Sequence, residues 1–264
     1  MDVEEGFQLI HSLGGNTGSR SGTNLITKIR EEYPNRILSS FSMFPTPKIS
    51  DALVTESYNA TLAARHLIEN VDETFCIENE ALRNISLHML KIAQPTYGDF
   101  NHITSMAMSG VTSFLRFPGH LNSDLHELTD SMIPLPKLHF LMFGCTPLPI
   151  HSFAESDLVN INDLIQQLFD ARYMMTTYNP RNGRYLAASA MFRGPISMHD
   201  LETQISNIRM TMIPGYIPKN IKLDICDIPT SGTKNTAVSL FNSTAIQEIF
   251  ANIRLKYTGC SLLN

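Results

Sequence analysis

Residues 6–23, GFQLIHSLGGNTGSRSGT, hold the densest chemistry of this chain. Gly14, Gly15 and Gly18 interrupt a polar run that contains Ser12, Asn16 and Thr17. The residues before the run read as a short strand and those after it as the start of a helix. Such a junction aims several backbone N–H groups and the positive end of a helix dipole at one point, which suits a phosphate. Glycine admits left-handed backbone angles and close approach of a ligand. Asn16 stands where a further glycine would fit, and Asn is the least costly other residue in the left-handed region. The spacing is neither G-x-G-x-x-G nor G-x-x-x-x-G-K-[ST]. Glycine-rich turns between strand and helix are common, so the pattern alone does not specify a ligand.

The elements around this turn have a readable order. Phe7, Leu9, His11 and Leu13 alternate with Gln8, Ile10 and Ser12, as in a strand with a buried face. Leu25, Ile26, Ile29 and Tyr33 recur at helical spacing until Pro34-Asn35 ends that helix. Ile37 to Phe44 is a second strand, and helical stretches follow near 59–70 and 79–92. Strand and helix in alternation predict a parallel sheet with crossover helices. Tyr97 to Leu115 reads as a long Met-rich helix, apolar around most of its circumference and so buried between layers, with Phe117-Pro118-Gly119 as its stop. A short helix over 122–132 leads to a strand at Leu138 to Met142. The remainder predicts helices at 161–175 and 197–209 and strands at 184–193, 221–228 and 236–241. A last helix runs from Ser243 to Tyr257, capped by Asn242 or Ser243.

Composition narrows the classes. The chain has 264 residues, 43% hydrophobic and 17% charged, an ordinary globular balance with room for a sizeable core. A formal net charge of -5 with no basic patch gives no reason to expect nucleic acid or an anionic membrane as partner. No apolar run approaches the ~20 residues that span a bilayer. The acidic start MDVEEG is unlike a signal peptide. Cys76, Cys145, Cys226 and Cys260 form no C-x-x-C pair and read as reduced thiols. His120 and His126 are spaced poorly for a shared helix face, so no metal site is read there. G-x-S-x-G is absent.

The wording of the motifs is more specific than their pattern. HSLGG-TGS with the following KIREEYP-RI resembles the tubulin family. KISDALV, SYNATLAARHLIEN, DETFCIENEAL, PTYGDFNHITSMAMSGVT, LRFPGHLNSDL, NPRNGRYL and NSTAIQEIF follow in the family's order, from Gly6 to about Arg254. QQLFDARYMM, CDIPTSGTKNTAVSL and RFPG are closer to the family's beta than to its alpha chains. The resemblance implies an α/β fold: a Rossmann-like, tubulin-type GTPase domain lacking its first half, a central helix, and a mixed α/β intermediate domain. The implied boundaries are 1–116 for the partial GTP-binding domain with the central helix, 117–250 for the intermediate domain, and 251–264 for a truncated C-terminal segment.

The same resemblance assigns roles. Ser12, Gly14, Gly15, Asn16, Thr17 and Gly18 would line the phosphate turn, where Thr17 offers a hydroxyl and an N–H to phosphate oxygens. Asn16 and Arg20 replace glycines of the family pattern, and Arg20 either pairs with a phosphate or fills space the ligand needs. Asp51 and Glu56 match acidic residues of the loop that reaches the ribose. Asn79, Tyr97 and Asn101 match guanine-binding residues: a stacking face, and amides that donate and accept. Glu127 takes the place of a glutamate by which alpha chains activate water at the next subunit's nucleotide, where beta chains carry lysine. Without the resemblance it is a surface glutamate on a short helix.

Relative to the family pattern, the segments carrying the first phosphate loop, the acidic magnesium ligand and the two terminal helices have no counterpart. His151 to Asp157 lacks the basic and aromatic residues of the family's lateral loop, and Phe114 replaces a cysteine. The expectation is therefore a divergent beta-like tubulin truncated at both ends, marginally stable by itself, binding GTP or GDP. Mg2+ belongs to the family's chemistry, but its protein ligand is missing here, and no other metal is expected. Alpha-tubulin, neighbouring tubulins in microtubules and tubulin-folding chaperones are the implied partners, and the cytoplasmic cytoskeleton the implied location. The alternative is a non-catalytic tubulin-like interaction module or a non-functional fragment with impaired nucleotide binding. The resemblance implies a tubulin-type GTPase, but autonomous GTP hydrolysis by this chain is not expected.

Overall fold

The computed structural model describes residues 6–46, 54–117, 125–148, 160–211, 221–230 and 233–261. Three strands open the sheet: β1 (Gly6–Ser12), β2 (Ile37–Phe44) and β3 (Glu73–Glu78). All three pair in parallel, as helical crossovers require, and β4 (Phe140–Thr146) continues the parallel set. The β3–β4 seam is narrow, with only Thr74↔Phe140 and Phe75↔Leu141 in register. Beyond it the direction reverses. β7 (Thr236–Ser243) lies antiparallel to both β4 and β5 (Tyr185–Arg193), and β6 (Ile221–Cys226) runs parallel to β5 at the far edge. The sheet thus has seven strands in the order β1-β2-β3-β4-β7-β5-β6.

Strand alternation sorts the first half into two cores. Leu38 and Phe44 of β2 with Cys76 of β3 point to one face, under α1 (Gly22–Glu32), α2 (Val54–Asn70) and α9 (Gln247–Ser261). Phe41 and Phe75, stacked with ring centroids 4.4 Å apart, point to the other. That face is covered by α3 (Asn79–Asn84), α4 (Tyr97–Val111) and α6 (Leu125–Met132). In the second half α7 (Ile161–Leu168) and α8 (Met198–Thr211) pack on Met142, Phe192 and Phe241. A two-sided cover explains why β2, β3 and β4 are apolar or small almost throughout.

Four expectations change; the simplest is the helix predicted at 161–175, which ends at Leu168 and gives way to a short 3-10 turn at Ala171–Tyr173 that Asp170 caps. The stretch 71–78 carried no strand assignment, yet Glu73–Glu78 is the buried centre of the parallel half; a glutamate at each end and a short apolar middle conceal it. The predicted helix at 79–92 is α3 followed by a wider π turn, Ile85–Met89. The predicted helix from Tyr97 to Leu115 stops at Val111, is interrupted at Thr112, and resumes as α5 (Ser113–Arg116). It is not buried all round either. Ile103, Ala107, Gly110 and Val111 form its buried stripe, while Tyr97 is 74% exposed. Close approach sets that stripe: a Cβ on Gly110 would stand 2.2 Å from Val238 Cγ2 of β7.

Candidate functional site

β1, β2 and β3 end level with one another. Ser12 is in register with Met43, and Met43 with Ile77, two residues before Asn79. With strands about 4.8 Å apart, the ends of β1 and β3 are roughly 10 Å apart. The Ser12–Gly18 turn and Asn79 therefore share the carboxyl end of one parallel sheet, the side on which open α/β sheets present their ligand crevice. Ser12, Gly15, Asn16 and Thr17 are exposed there.

The backbone of the turn differs from expectation. Asn16 is right-handed helical (φ -66, ψ -43), and among the described residues Gly194 is the glycine with positive φ. Glycine is needed here for space instead. A Cβ on Gly18 would stand 2.2 Å from the Ser12 carbonyl oxygen, so only glycine lets the helix start rest on the strand end. Gly15 faces the opposite situation, since a Cβ there would meet nothing within 4 Å. The helix begins with a π turn, Thr17–Ser21, in which the Gly22 N–H donates to Thr17 O, and Arg20 projects from it into solvent.

Side chains tie the turn back into the protein. Asn59 Nδ2 donates to Gly14 O at 3.0 Å, and Ser19 Oγ donates to Gly15 O at 2.6 Å. His11 Nδ1 lies 2.8 Å from Gly18 O. A trans peptide points its N–H opposite to its C=O, so carbonyls held inward at Gly14 and Gly15 turn the N–H groups of Gly15 and Asn16 the other way. Glu56, in the first turn of α2, lies beside Gly14, whose Cβ would stand 3.5 Å from Glu56 Cγ. Asp51 lies outside the described residues, as do His120 and the segment His151 to Asp157.

Asn79 opens α3, and its neighbour Glu78 anchors that junction. The Glu78 carboxylate accepts from Thr177 N at 2.7 Å and Thr177 Oγ1 at 2.8 Å. Burial raises the Glu78 pKa, and the Thr177 bonds oppose that rise. Tyr97 and Asn101 stand on the first turns of α4, four residues apart and so on one face, both exposed. A capping box sets that helix start: Thr96 Oγ1 accepts from Asp99 N, and Asp99 Oδ2 accepts from Thr96 N at 2.7 Å. α4 packs on α3.

Glu127 lies elsewhere. Leu125, two residues before it, packs where a Cβ on Gly6 would come within 3.0 Å, at the amino end of β1. At about 3.3 Å per residue, the turn after Ser12 is roughly 20 Å away along the strand. Glu127 Oε1 pairs with Lys222 Nζ of β6 at 2.9 Å and is half exposed. Cys76, Cys145 and Cys226 are free and buried, and burial pushes the Cys145 thiol up to about 12. Among the described residues no three His, Cys, Asp or Glu side chains gather as a metal site, and no helix is long and apolar enough to cross a membrane.

Sequence reasoning missed His11, Asn59 and Glu78. Asn59 lay in the quoted motif YNAT, and Glu78 immediately precedes Asn79. His11 was visible as an inward strand position, but its reach to Gly18 is a tertiary fact.

Fold and site together define an α/β protein whose parallel half presents a glycine-rich turn and an asparagine at the carboxyl ends of its strands. Residues 1–86 match the family model of the tubulin/FtsZ family GTPase domain, and residues 136–255 that of the tubulin C-terminal domain. The chain is also 52% identical over 258 residues, 97% of its length, to a tubulin beta chain of Enteroctopus dofleini. The chain belongs to the tubulin family. It spans 58% of the length of that relative.

Proposed function

We propose that this chain is a beta-tubulin-like, guanine-nucleotide-binding structural protein that pairs with alpha-tubulin and with neighbouring tubulins in microtubules of the cytoplasm. The observation that carries the reading is the convergence of the Ser12–Gly18 turn and Asn79 on one end of the parallel sheet. Backbone N–H groups and the helix dipole supply the attraction for phosphate, and Thr17 adds a hydroxyl. The open space beside Gly15 leaves room for a ligand atom. Asn79, Tyr97 and Asn101 carry the donor, acceptor and stacking chemistry a guanine ring needs. Glu56, with Asp51, supplies carboxylates for ribose hydroxyls.

Hydrolysis by an isolated chain is not expected. Glu127 is at the opposite end of β1 from the chain's own turn, a placement that suits action on another subunit's nucleotide. The family's Mg2+ would polarise the phosphates, but the acidic residue that would hold it has no match in this sequence, and Glu56 is assigned to the ribose. The proposed domain division is a nucleotide-binding part over 1–116 and an intermediate part over 117–250. Folding chaperones are further proposed partners, because β1 leaves Ile10 64% exposed at the sheet edge.

Equilibrium binding of a fluorescent GTP analogue to the purified chain tests the reading, with ATP as competitor and light scattering as a control for aggregation. Saturable binding that GDP displaces and ATP does not is the expected result. A folded, monodisperse chain that binds no guanine nucleotide would refute it.

A further inference from the structure

The start of the first helix rests on β1 through two notches. Gly18 and Gly22 are four residues apart and share one helix face. The first notch takes the Ser12 carbonyl, and the second takes the His11 ring, whose Nδ1 would stand 3.1 Å from a Cβ on Gly22. His11 is held on both sides, with Nδ1 2.8 Å from Gly18 O and Nε2 2.8 Å from Ser42 Oγ of β2. A carbonyl oxygen only accepts, so Nδ1 carries the proton. Burial lowers the pKa of the imidazole, which favours the neutral ring. Nε2 then accepts the single Ser42 hydroxyl proton at 2.8 Å, and the longer 3.3 Å contact between Ser42 Oγ and Ser40 Oγ takes its proton from Ser40. The ring is a strut from the second strand, through the first, to the opening turn of the helix.

We propose that His11 is a positioning residue for the phosphate turn: its Nδ1–H fixes the Gly18 peptide, and with it the helix start, at the height above β1 where the turn's N–H groups meet a nucleotide phosphate. The proposal rests on the guanine-nucleotide reading above and deepens it. Asn59 and Ser19 hold the Gly14 and Gly15 carbonyls, on the strand side of the turn. His11 holds the helix side, and among these three ties it is the one made by the strand itself. His11 acts through Gly18, so its effect falls on the phosphates and not on the base.

Two conservative variants separate positioning from packing. In His11→Asn the amide nitrogen stands near the place of Nδ1 and keeps the Gly18 bond. In His11→Gln it stands near Nε2 and keeps only the side toward Ser42. Displacement of a fluorescent GTP analogue from the full chain is measured with GDP and with guanosine. GDP affinity is expected to stay near wild type for Asn and to fall three- to tenfold for Gln, the worth of about one hydrogen bond. Guanosine affinity is expected to stay unchanged in both. The 15N spectrum of histidine-labelled wild type is expected to show a neutral Nδ1–H tautomer at His11. Equal GDP losses in the two variants, a parallel loss of guanosine, or an Nε2–H tautomer would overturn the proposal. Wild-type binding with an unaffected Gln variant removes the positioning role alone. A folded wild type that binds no guanine nucleotide removes the functional reading, and the role with it.

Discussion

Replacing Glu73 with glutamine should make stability rise with pH relative to the wild type. Glu73 opens β3 and is fully buried. Its Oε1 accepts from Thr129 Oγ1 of α6 at 2.6 Å, while Oε2 has no hydrogen-bond partner among the described residues. It lines a cavity of about 160 Å3 together with Gln8, Phe41, Phe75 and Leu128. Desolvation pushes its carboxyl up from 4.5 to about 7, the Thr129 bond pulls the other way, and Asp72 adds a smaller rise. The folded carboxyl therefore keeps its proton to about pH 7, whereas the unfolded one releases it near 4.5. The folded state binds more protons across that window, so its stability falls as pH rises through it.

The full loss is about 3 kcal/mol once pH exceeds the folded value, and about 2–3 kcal/mol of it falls between pH 5 and pH 8. Glutamine keeps an oxygen for Thr129 and removes the charge. Urea unfolding of both proteins, followed by circular dichroism at pH 5, 6, 7 and 8, measures the difference. The variant should be close to wild type at pH 5 and more stable at pH 8. His11 and His139, whose pKa values burial lowers, act in the opposite sense below their unfolded value of 6.5, but they are common to both proteins and cancel. A stability difference that stays constant from pH 5 to pH 8 would refute the assignment of a desolvated, protonated carboxyl to Glu73.

Gly18→Ala sets two backbones against each other and should destabilise by about 1–3 kcal/mol while abolishing guanine-nucleotide binding. Gly15→Ala meets open space and should fold as well as wild type yet weaken nucleotide binding; thermal melts with titrations check the pair. Thr96→Ala removes the cap of α4 and should cost about 1 kcal/mol in urea unfolding, with a further loss of guanine binding if that helix start carries Tyr97 and Asn101 to the base. Glu127→Gln breaks a half-exposed ion pair with Lys222, so its effect on stability should stay below about 1 kcal/mol and shrink with salt. A fall in GTP turnover only when the variant is co-assembled with alpha-tubulin would support its catalytic role.

The turn was legible from the sequence because its chemistry is local. Polar residues and glycines within seven positions, between two elements of opposite period, suffice to place N–H groups at a helix start. The strand Ile37 to Phe44 was legible too, for its run of apolar residues and small serines stops at Pro45. β3 was not. Its glutamates read as polar ends, and only the helices packed on both faces make them interior. The long helix was overestimated because small residues such as Ala107 and Gly110 score as apolar all round, whereas they serve a single close contact with β7.

By itself, the sequence determined the family, the order of the strands and helices apart from β3, and the residue types of the turn. These depend on neighbours a few positions apart. The tertiary structure alone decided which contacts each residue makes there. Asn59 meets Gly14 across 45 positions and Thr177 meets Glu78 across 99, contacts that no local period encodes. It placed Glu127 and the turn at opposite ends of one strand, and it set His11 under Gly18 and Glu73 in a desolvated site. Burial and through-space distance fix proton positions and carbonyl directions, and both exist only once the sheet has closed against its helices.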